Sequence, residues 1–247
     1  MISVKGNITG SLNAKQKLTG KLNVAEKVIN SGVDINDYFN DTIPNQGAGV
    51  PAKAVQFLIK KVLAFNFSGN LFNGIFKNME ALEEIDLSKC DFSRVENISD
   101  CFYFCKSLKQ IDLSAINNNL IYDIGSLIRE CSNLEKFDLS NCSLEKVTNC
   151  VGAFTYCPKL TELKLKPNHN LGKGYETSAS ENYFNYSLQF YGTQNLNHES
   201  LMNAINGLYD IASLGVKPQQ LVLGSTNLAK LTEDEITIAT NKGWTVS

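Results

Sequence analysis

The stretch Leu82-Glu-Glu-Ile-Asp-Leu-Ser88 recurs three times along the chain, as LKQIDLS (108–114), LEKFDLS (134–140) and LTELKLK (160–166). Each copy begins 26 residues after the one before it, with no insertion or deletion. Apolar residues at alternate positions are typical of a short β-strand with one buried face. One such unit cannot bury its apolar face alone, so neighbouring units must stack and share a core. We therefore predict an α/β solenoid.

The residues between these stretches keep the same period. Three sets of apolar residues recur every 26 residues: Val95, Ile121 and Val147; Phe72, Ile98, Ile124 and Cys150; and Phe76, Phe102, Ile128 and Phe154. Each unit is expected to supply one strand to a curved sheet, with helices and 3₁₀ turns behind it. Within the first strand, alternation should direct Ile85 and Leu87 inward and Asp86 outward.

Residues outside the regular units predict additional strands and a C-terminal cap. Four short strands are predicted, at residues 65–67, 188–190, 221–223 and 244–246. Apolar residues at helical spacing between 201 and 211 predict an amphipathic helix. A second helix should start at Thr232, where Glu235 completes a capping box, and should end at Gly243. These irregular turns would close the open end of the core.

The N-terminal segment has a different period. The decapeptide ITGSLNAKQK (8–17) is followed at once by its near copy LTGKLNVAEK (18–27). Two short strands that bend at Gly10 and Gly20 would leave open edges, which are stable only when they pair with something else. The partner is expected to be a second copy of the chain or a larger assembly. The proposed attachment residues are Ile8, Gly10, Leu12, Leu18, Gly20 and Leu22.

Two domains follow from these patterns. Residues 1–50 form a small β-rich segment for attachment or oligomerisation, and residues 51–247 form the solenoid. The regular repeats span about 76–166, and the irregular capping turns span about 188–247.

Composition restricts the classes of ligand and location. Lys and Arg total 23 against 25 Asp and Glu, without a basic cluster, which argues against nucleic acid. No apolar stretch is long enough to span a bilayer. The start, MISVKGNITG, has no apolar run of signal-peptide length, and the end, NKGWTVS, has no hydrophobic anchor. We expect a protein that is made and kept in soluble form.

The stretch IDLSKCDFSRVENISDCFYFCKSLKQIDLS (85–114) resembles the BspA-type leucine-rich repeat, whose units run LDLS-x-x-D-x-S-x-V-x-N-M-x-x-M-F-x-x-C-x-x-L. Residues 76–166 match this pattern well, and residues 65–75 and 167–190 match it weakly. The Met-Phe pair is replaced by Cys101-Phe102, and the third unit lacks D-x-S-x-V at 117–121. The resemblance implies a leucine-rich-repeat solenoid with a role in adhesion or recognition and no catalysis.

A looser resemblance involves both ends of the chain. The Leu-Thr-Gly phrases, DINDYFND (34–41) and LVLGSTNLAKLTEDEITIATNKGW (221–244) are similar to segments of structural proteins encoded by phages and prophages of Gram-positive gut bacteria. This resemblance implies a virion location, in a tail tip or baseplate.

Asp86, Asp112 and Asp138 form an outward row on neighbouring strands. Stacked like charges repel, so compensation is expected from Lys109, Lys136 and Lys164, from loop N–H groups, or from a bound cation. One interpretation is a ligand-binding row. The other is that each Asp is the consensus residue of the repeat and hydrogen-bonds locally, since one carboxylate per unit supplies few of the oxygens that calcium needs.

The segment PNHNLGKGYETSASENYFNYS (167–187) takes the place of a regular unit but lacks its core residues. Tyrosine among small polar residues suits recognition, including recognition of sugars. We name Tyr175, Tyr183 and Tyr186 as candidate binding residues. The alternative is a degenerate repeat whose tyrosines only cover the edge of the core.

Cysteine and histidine patterns do not favour a metal site or an enzyme. Cys105, Cys131 and Cys157 share a register with Met79, which favours buried core positions over a disulfide or a metal site, and no C-x-x-C pair occurs. His169 and His198 stand alone in polar sequence, without a candidate nucleophile. No cofactor, no metal and no enzymatic activity are expected.

Three functional hypotheses remain. The first is a phage tail or baseplate protein that binds other tail proteins through residues 1–50, and a host-surface glycan or protein through the solenoid. The second is a BspA-type adhesin of the bacterial surface, and the third is a soluble protein-interaction scaffold. The missing leader and anchor favour the first. A homo-oligomer or a larger assembly is expected in that case, without membrane insertion.

Overall fold

The computed structural model describes residues 72–88, 90, 92–174 and 187–247. The predicted attachment segment, the predicted strand at 65–67, and Tyr175, Tyr183 and Tyr186 lie outside the described residues.

The repeated stretches form a parallel sheet with the register that the period predicts. Its strands are β1 (Gln110–Asp112), β2 (Lys136–Leu139) and β3 (Glu162–Leu165), in that spatial order. Paired residues differ by 26 in sequence, as in Ile111 with Phe137 and Phe137 with Leu163. These apolar residues are buried, and the residues between them face outward. The first copy, 82–88, has no assigned strand, although Leu82 and Leu87 are buried and Asp86 is exposed.

The described return segments between the repeated stretches consist of turns. Each segment donates backbone hydrogen bonds to the next unit, as in Phe76 N to Cys101 O (2.9 Å), Phe102 N to Leu127 O (2.9 Å) and Ile128 N to Ala153 O (3.0 Å). Each unit thus satisfies its polar backbone through the adjacent unit, so no helix is needed to do so.

A second parallel sheet lies in the C-terminal part. It orders β4 (Leu188–Gln189), β5 (Gln219–Val222) and β6 (Trp244–Val246) side by side. The helices are α1 (His198–Asn206), α2 (Ser225–Leu228) and α3 (Glu233–Asn241), with a 3₁₀ turn at Ala212–Leu214.

The predicted caps of these helices are confirmed in part. Thr232 caps α3, and its capping box with Glu235 is complete. The helix that was predicted to extend to Ile211 ends at Asn206, because Gly207 follows as its cap and the chain then turns. Leu208 and Ile211 are still buried.

Helix α1 packs against β3, at the edge of the first sheet. Ser200 Oγ accepts a hydrogen bond from Leu163 N (2.9 Å), and Asn203 Oδ1 accepts one from Leu165 N (2.8 Å). Side chains of α1 therefore take the place of a fourth strand, and β4 pairs with β5 instead of β3.

The core is continuous from Phe72 to Trp244. Its aromatic members stack between units, as in Phe76 with Phe102 and Phe154 with Phe190. None of the seven cysteines, which all lie in the described residues, forms a disulfide, and all but half-buried Cys90 are buried, which confirms the core interpretation of Cys105, Cys131 and Cys157. None of the helices in the described ranges has both the length and the apolar character that a bilayer span requires.

Candidate functional site

The three aspartates of the predicted row each make the same local contact. Oδ1 accepts a hydrogen bond from the backbone N–H two residues later, at 3.0 Å for Asp86, 2.8 Å for Asp112 and 2.9 Å for Asp138. This is an Asx turn, which ends each strand stretch in the same way. One carboxylate oxygen of each aspartate therefore shapes the backbone, as the local interpretation expects.

Charge compensation is seen at the C-terminal end of this row. Lys164 Nζ lies 3.8 Å from Asp138 Oδ2 and 3.0 Å from Glu162 Oε1, and Lys136 Nζ lies 3.1 Å from Glu162 Oε2. The hydrogen bonds from both lysines hold the pKa of Glu162 below its usual value, and the Glu162 carboxylate raises the pKa of Lys164. Of the lysines named from sequence, Lys164 thus compensates Asp138, whereas Lys136 pairs with Glu162, which is outside the aspartate row.

Asp86 and Asp112 line a shallow depression of about 390 Å³ together with Gln110 and Ser114. Within the described residues, no group of three or more His, Cys, Asp and Glu side chains is placed to hold a metal ion. The aspartate row stays a predicted binding site.

A second surface feature was not predicted. Aromatic and cationic side chains alternate along the return segments, and we call them the aromatic–cationic row: Lys77, Tyr103, Phe104, Lys106, Arg129, Tyr156 and Tyr191. Lys77 Nζ lies 5.0 Å from the Tyr103 ring centroid, and Arg129 Cζ lies 5.8 Å from that ring and 5.6 Å from the Tyr156 ring. Contacts at these distances are cation–π interactions. The row therefore links four successive segments of the chain.

Two members of the row, Phe104 and Tyr156, have left-handed backbone conformations. Phe104, Glu130 and Tyr156 occupy one register position and have positive φ of 63°, 63° and 59°. The left-handed conformation is uncommon for bulky residues and costs of order 1 kcal/mol or more at each position. The inter-unit hydrogen bonds of the turn offset that cost, as in Phe104 N to Arg129 O (3.0 Å) and Tyr156 N to Tyr191 O (2.7 Å).

A groove of about 510 Å³ opens beside the C-terminal end of the row. It is lined by Lys106, Arg129, Glu130, Ser132, Tyr156 and Gly192, among others. Tyr156 and Tyr191 meet edge to face, with ring centroids 5.3 Å apart and planes at 80°. Tyr156 lines the groove and is 41% exposed, so a ligand there can reach its ring, and the 63% exposed Tyr191 flanks Tyr156 without lining the groove.

Charges along the row are balanced locally. Lys77 pairs with Asp100 at 3.2 Å, and Lys106 pairs with Glu80 at 3.1 Å. Arg129 Nε is buried, lies 3.7 Å from Glu130 Oε1, and makes no hydrogen bond to any residue that the structure describes. The groove thus presents aromatic faces together with both donors and acceptors, but no strong excess of either charge.

Of the two histidines, His198 lies in the first turn of a helix, as the sequence predicts, whereas His169 is buried rather than in polar surroundings. His169 is fully buried, and both of its ring nitrogens have partners. Nε2 donates to Ala204 O (3.2 Å), and Nδ1 accepts from Leu171 N (3.2 Å). Burial lowers the pKa of His169 to about 4, so the ring is neutral near pH 7. His198 begins α1 and contacts Glu235 Oε1 at 2.8 Å. Both side chains therefore have partners that their local sequence did not indicate.

The parallel pairing at intervals of 26 residues defines the class: a repeat protein whose successive units stack side by side. Residues 70–200 match the family described as "Mycoplasma protein of unknown function, DUF285". This match spans more than half of the 247 residues, and the chain belongs to that family. The match is consistent with a BspA-like repeat protein. Neither the curated proteins nor the solved structures compared with the chain include a significant match.

Proposed function

We propose that the chain is a BspA-type leucine-rich-repeat solenoid that acts as a non-enzymatic recognition and structural protein of a phage particle. Its described units would be held outward, and residues 1–50 would attach it to other tail proteins. The virion would be its location, and a glycan or protein of the host surface would be its ligand.

The observation that carries the recognition role is the alignment of outward side chains across units. Because Gln110, Lys136 and Glu162 pair directly, equivalent positions of successive units form continuous surface rows. Of the rows described above, the aromatic–cationic row contains the most residues. Extended surfaces of stacked repeats are suited to binding macromolecules.

The phage context rests on the resemblance of the two chain ends, above all the duplicated decapeptide and LVLGSTNLAKLTEDEITIATNKGW (221–244). The family match supports the repeat class and fits an adhesin of the bacterial surface equally well. That adhesin is therefore the second candidate. The two candidates differ in where the protein is found.

Mass spectrometry of purified particles tests the location. Particles released by inducing the strain that encodes the chain should contain it after gradient purification. If shaving intact cells with protease releases the chain and the particles lack it, the phage proposal is wrong and the adhesin is supported.

Paired substitutions test the attachment role of the decapeptides. Leu12→Asp combined with Leu22→Asp should abolish incorporation into particles, because charges on an apolar contact face oppose its burial. Asn13→Asp combined with Asn23→Asp is the matched control, with the same added charge at the adjacent duplicated positions. If the Leu pair still incorporates at the wild-type level, residues 1–50 are not the attachment segment.

Binding of the intact protein to cells tests recognition itself. Fluorescently labelled protein should bind host cells or their wall extract, and an excess of unlabelled protein should compete. Binding to no cell or wall fraction would contradict a receptor-binding role.

A further inference from the structure

We propose that the groove beside Tyr156 and Tyr191 is a binding site for a neutral saccharide. The inference rests on the recognition role proposed above and assigns its ligand class to one place on the surface.

The two tyrosines supply the stacking surface. Tyr191 is 63% exposed and Tyr156 is 41% exposed, and their rings meet at 80° to form a corner. An aromatic face carries partial negative charge, and the C–H bonds on one face of a pyranose ring carry partial positive charge. A sugar ring can therefore stack on one tyrosine while it touches the edge of the other.

This corner is fixed before any ligand arrives. Tyr156 N donates to Tyr191 O at 2.7 Å, which ties the two backbones together. A Cβ at position 192 would lie 2.8 Å from Tyr156 Cδ1, so Gly192 lets the Tyr156 ring lie close against the chain. Binding to a rigid surface costs less ordering entropy than binding to mobile side chains.

The polar lining matches hydroxyl groups better than it matches an anion. Sugar hydroxyls both donate and accept, and the groove offers the Arg129 guanidinium as donor, Glu130 as acceptor and Ser132 as both. Lys106 is already paired with Glu80 at 3.1 Å, so the excess positive charge that an acidic ligand needs is small.

The size of the groove suits one or two sugar rings of a longer chain. Its volume of about 510 Å³ lies within the roughly 300–1,000 Å³ of small-ligand sites. Because it is open to solvent along the surface, the remainder of an oligosaccharide can extend along the row toward Tyr103.

Calorimetry and saturation-transfer NMR with defined neutral trisaccharides test the proposal on the full chain. The probes are maltotriose, chitotriose and a galactose trisaccharide, together with a polyglutamate peptide as the anionic competitor. At least one trisaccharide should bind with a dissociation constant of about 1 mM or tighter, as expected for a small open site. Because the ligand is uncharged, raising the salt concentration should leave the affinity unchanged.

Tyr156→Ala should weaken binding of that trisaccharide about tenfold, since it removes the aromatic ring that lines the groove. Tyr156→Phe keeps the ring and should bind within about twofold of wild type. Tyr122→Ala is the matched control, because Tyr122 is 40% exposed but does not line the groove. Unchanged melting temperatures for the variants would show that the fold is intact.

Two results would overturn the proposal. One is that none of the three trisaccharides binds, and the other is that only polyglutamate binds, in a salt-dependent manner. Cell binding separates this inference from the recognition role. If Tyr156→Ala binds cells as wild type does, the groove is not the site, although recognition stands. Trisaccharide binding without cell binding would instead support the groove and contradict the receptor role.

Discussion

Ser200 Oγ accepts the backbone N–H of Leu163 at 2.9 Å, so a helix side chain takes the hydrogen bond that a fourth strand would have taken. Asn203 Oδ1 likewise accepts the backbone N–H of Leu165 at 2.8 Å. Open strand edges invite pairing with other chains, and α1 covers this one. Because of these two contacts, the first sheet ends at β3, and β4 starts a second sheet with β5 and β6.

Ser200→Ala should lower the free energy of unfolding by about 1–3 kcal/mol, because it leaves the buried N–H of Leu163 without a partner. Ser225→Ala, at the exposed start of α2, is the control and should change stability by less than about 0.5 kcal/mol. Urea denaturation followed by circular dichroism measures both. Equal small losses would show that the Leu163 N–H is satisfied in some other way.

The register of β1, β2 and β3 could be predicted because identical spacing forces equivalent residues of stacked units to pair. The strand at which that sheet ends could not be predicted from the sequence, because it depends on where α1 lies in space. Nothing in the sequence next to Ser200 marks it as a partner for residue 163. The predicted helix in this region is present, but its role at the sheet edge is visible only in three dimensions.

The two candidate sites also differ in how far the sequence alone predicts them. The alignment of the aspartates follows from their spacing, and so does their local Asx-turn alternative. The aromatic–cationic row was not predicted because its residue types change from unit to unit. Tyr103 and Arg129, for example, occupy equivalent positions of successive units but are different residues, so they do not stand out as a repeat. A signal was nevertheless present in the sequence. In every unit, the two positions after the core residue at 76, 102, 128 or 154 include an aromatic or cationic residue: Lys77, then Tyr103 and Phe104, then Arg129, then Tyr156.

His169 gives the protein a pH dependence between pH 6.5 and pH 4. Its pKa is lowered by burial from 6.5 to about 4, while the Ala204 carbonyl opposes that shift and Lys242 adds to it. Over this range the unfolded state binds more protons, so stability is full above pH 6.5 and falls as the pH is lowered toward 4. The expected loss is about 3 kcal/mol.

Denaturation at a series of pH values checks this expectation. His169→Gln should flatten the curve between pH 4 and pH 6.5 relative to the wild type. A wild-type slope that survives in His169→Gln would assign the pH dependence to other groups.

The cysteines should be unreactive in the folded protein. Burial raises the pKa of Cys105, Cys142, Cys150 and Cys157 to about 12, so the reactive thiolate is scarce. At about pH 8, a thiol reagent such as dithionitrobenzoate should label only half-buried Cys90 before unfolding, and all seven cysteines in denaturant. Cys90→Ser should abolish the native reaction. Rapid labelling of more than one thiol would show that the core opens locally.

Gly207 makes room for the buried imidazole. A Cβ at this position would lie 2.1 Å from His169 Cδ2, and the φ of −77° is one that alanine adopts without strain. Gly207→Ala should therefore destabilise the fold by about 3 kcal/mol through overpacking alone. His169→Ala removes the clashing ring, so adding Gly207→Ala to it should cost less than about 1 kcal/mol more. Thermal denaturation of the wild type, the two single variants and the double variant measures the coupling between positions 169 and 207. If the two losses of stability are additive, the alanine side chain at position 207 clashes with something other than the imidazole.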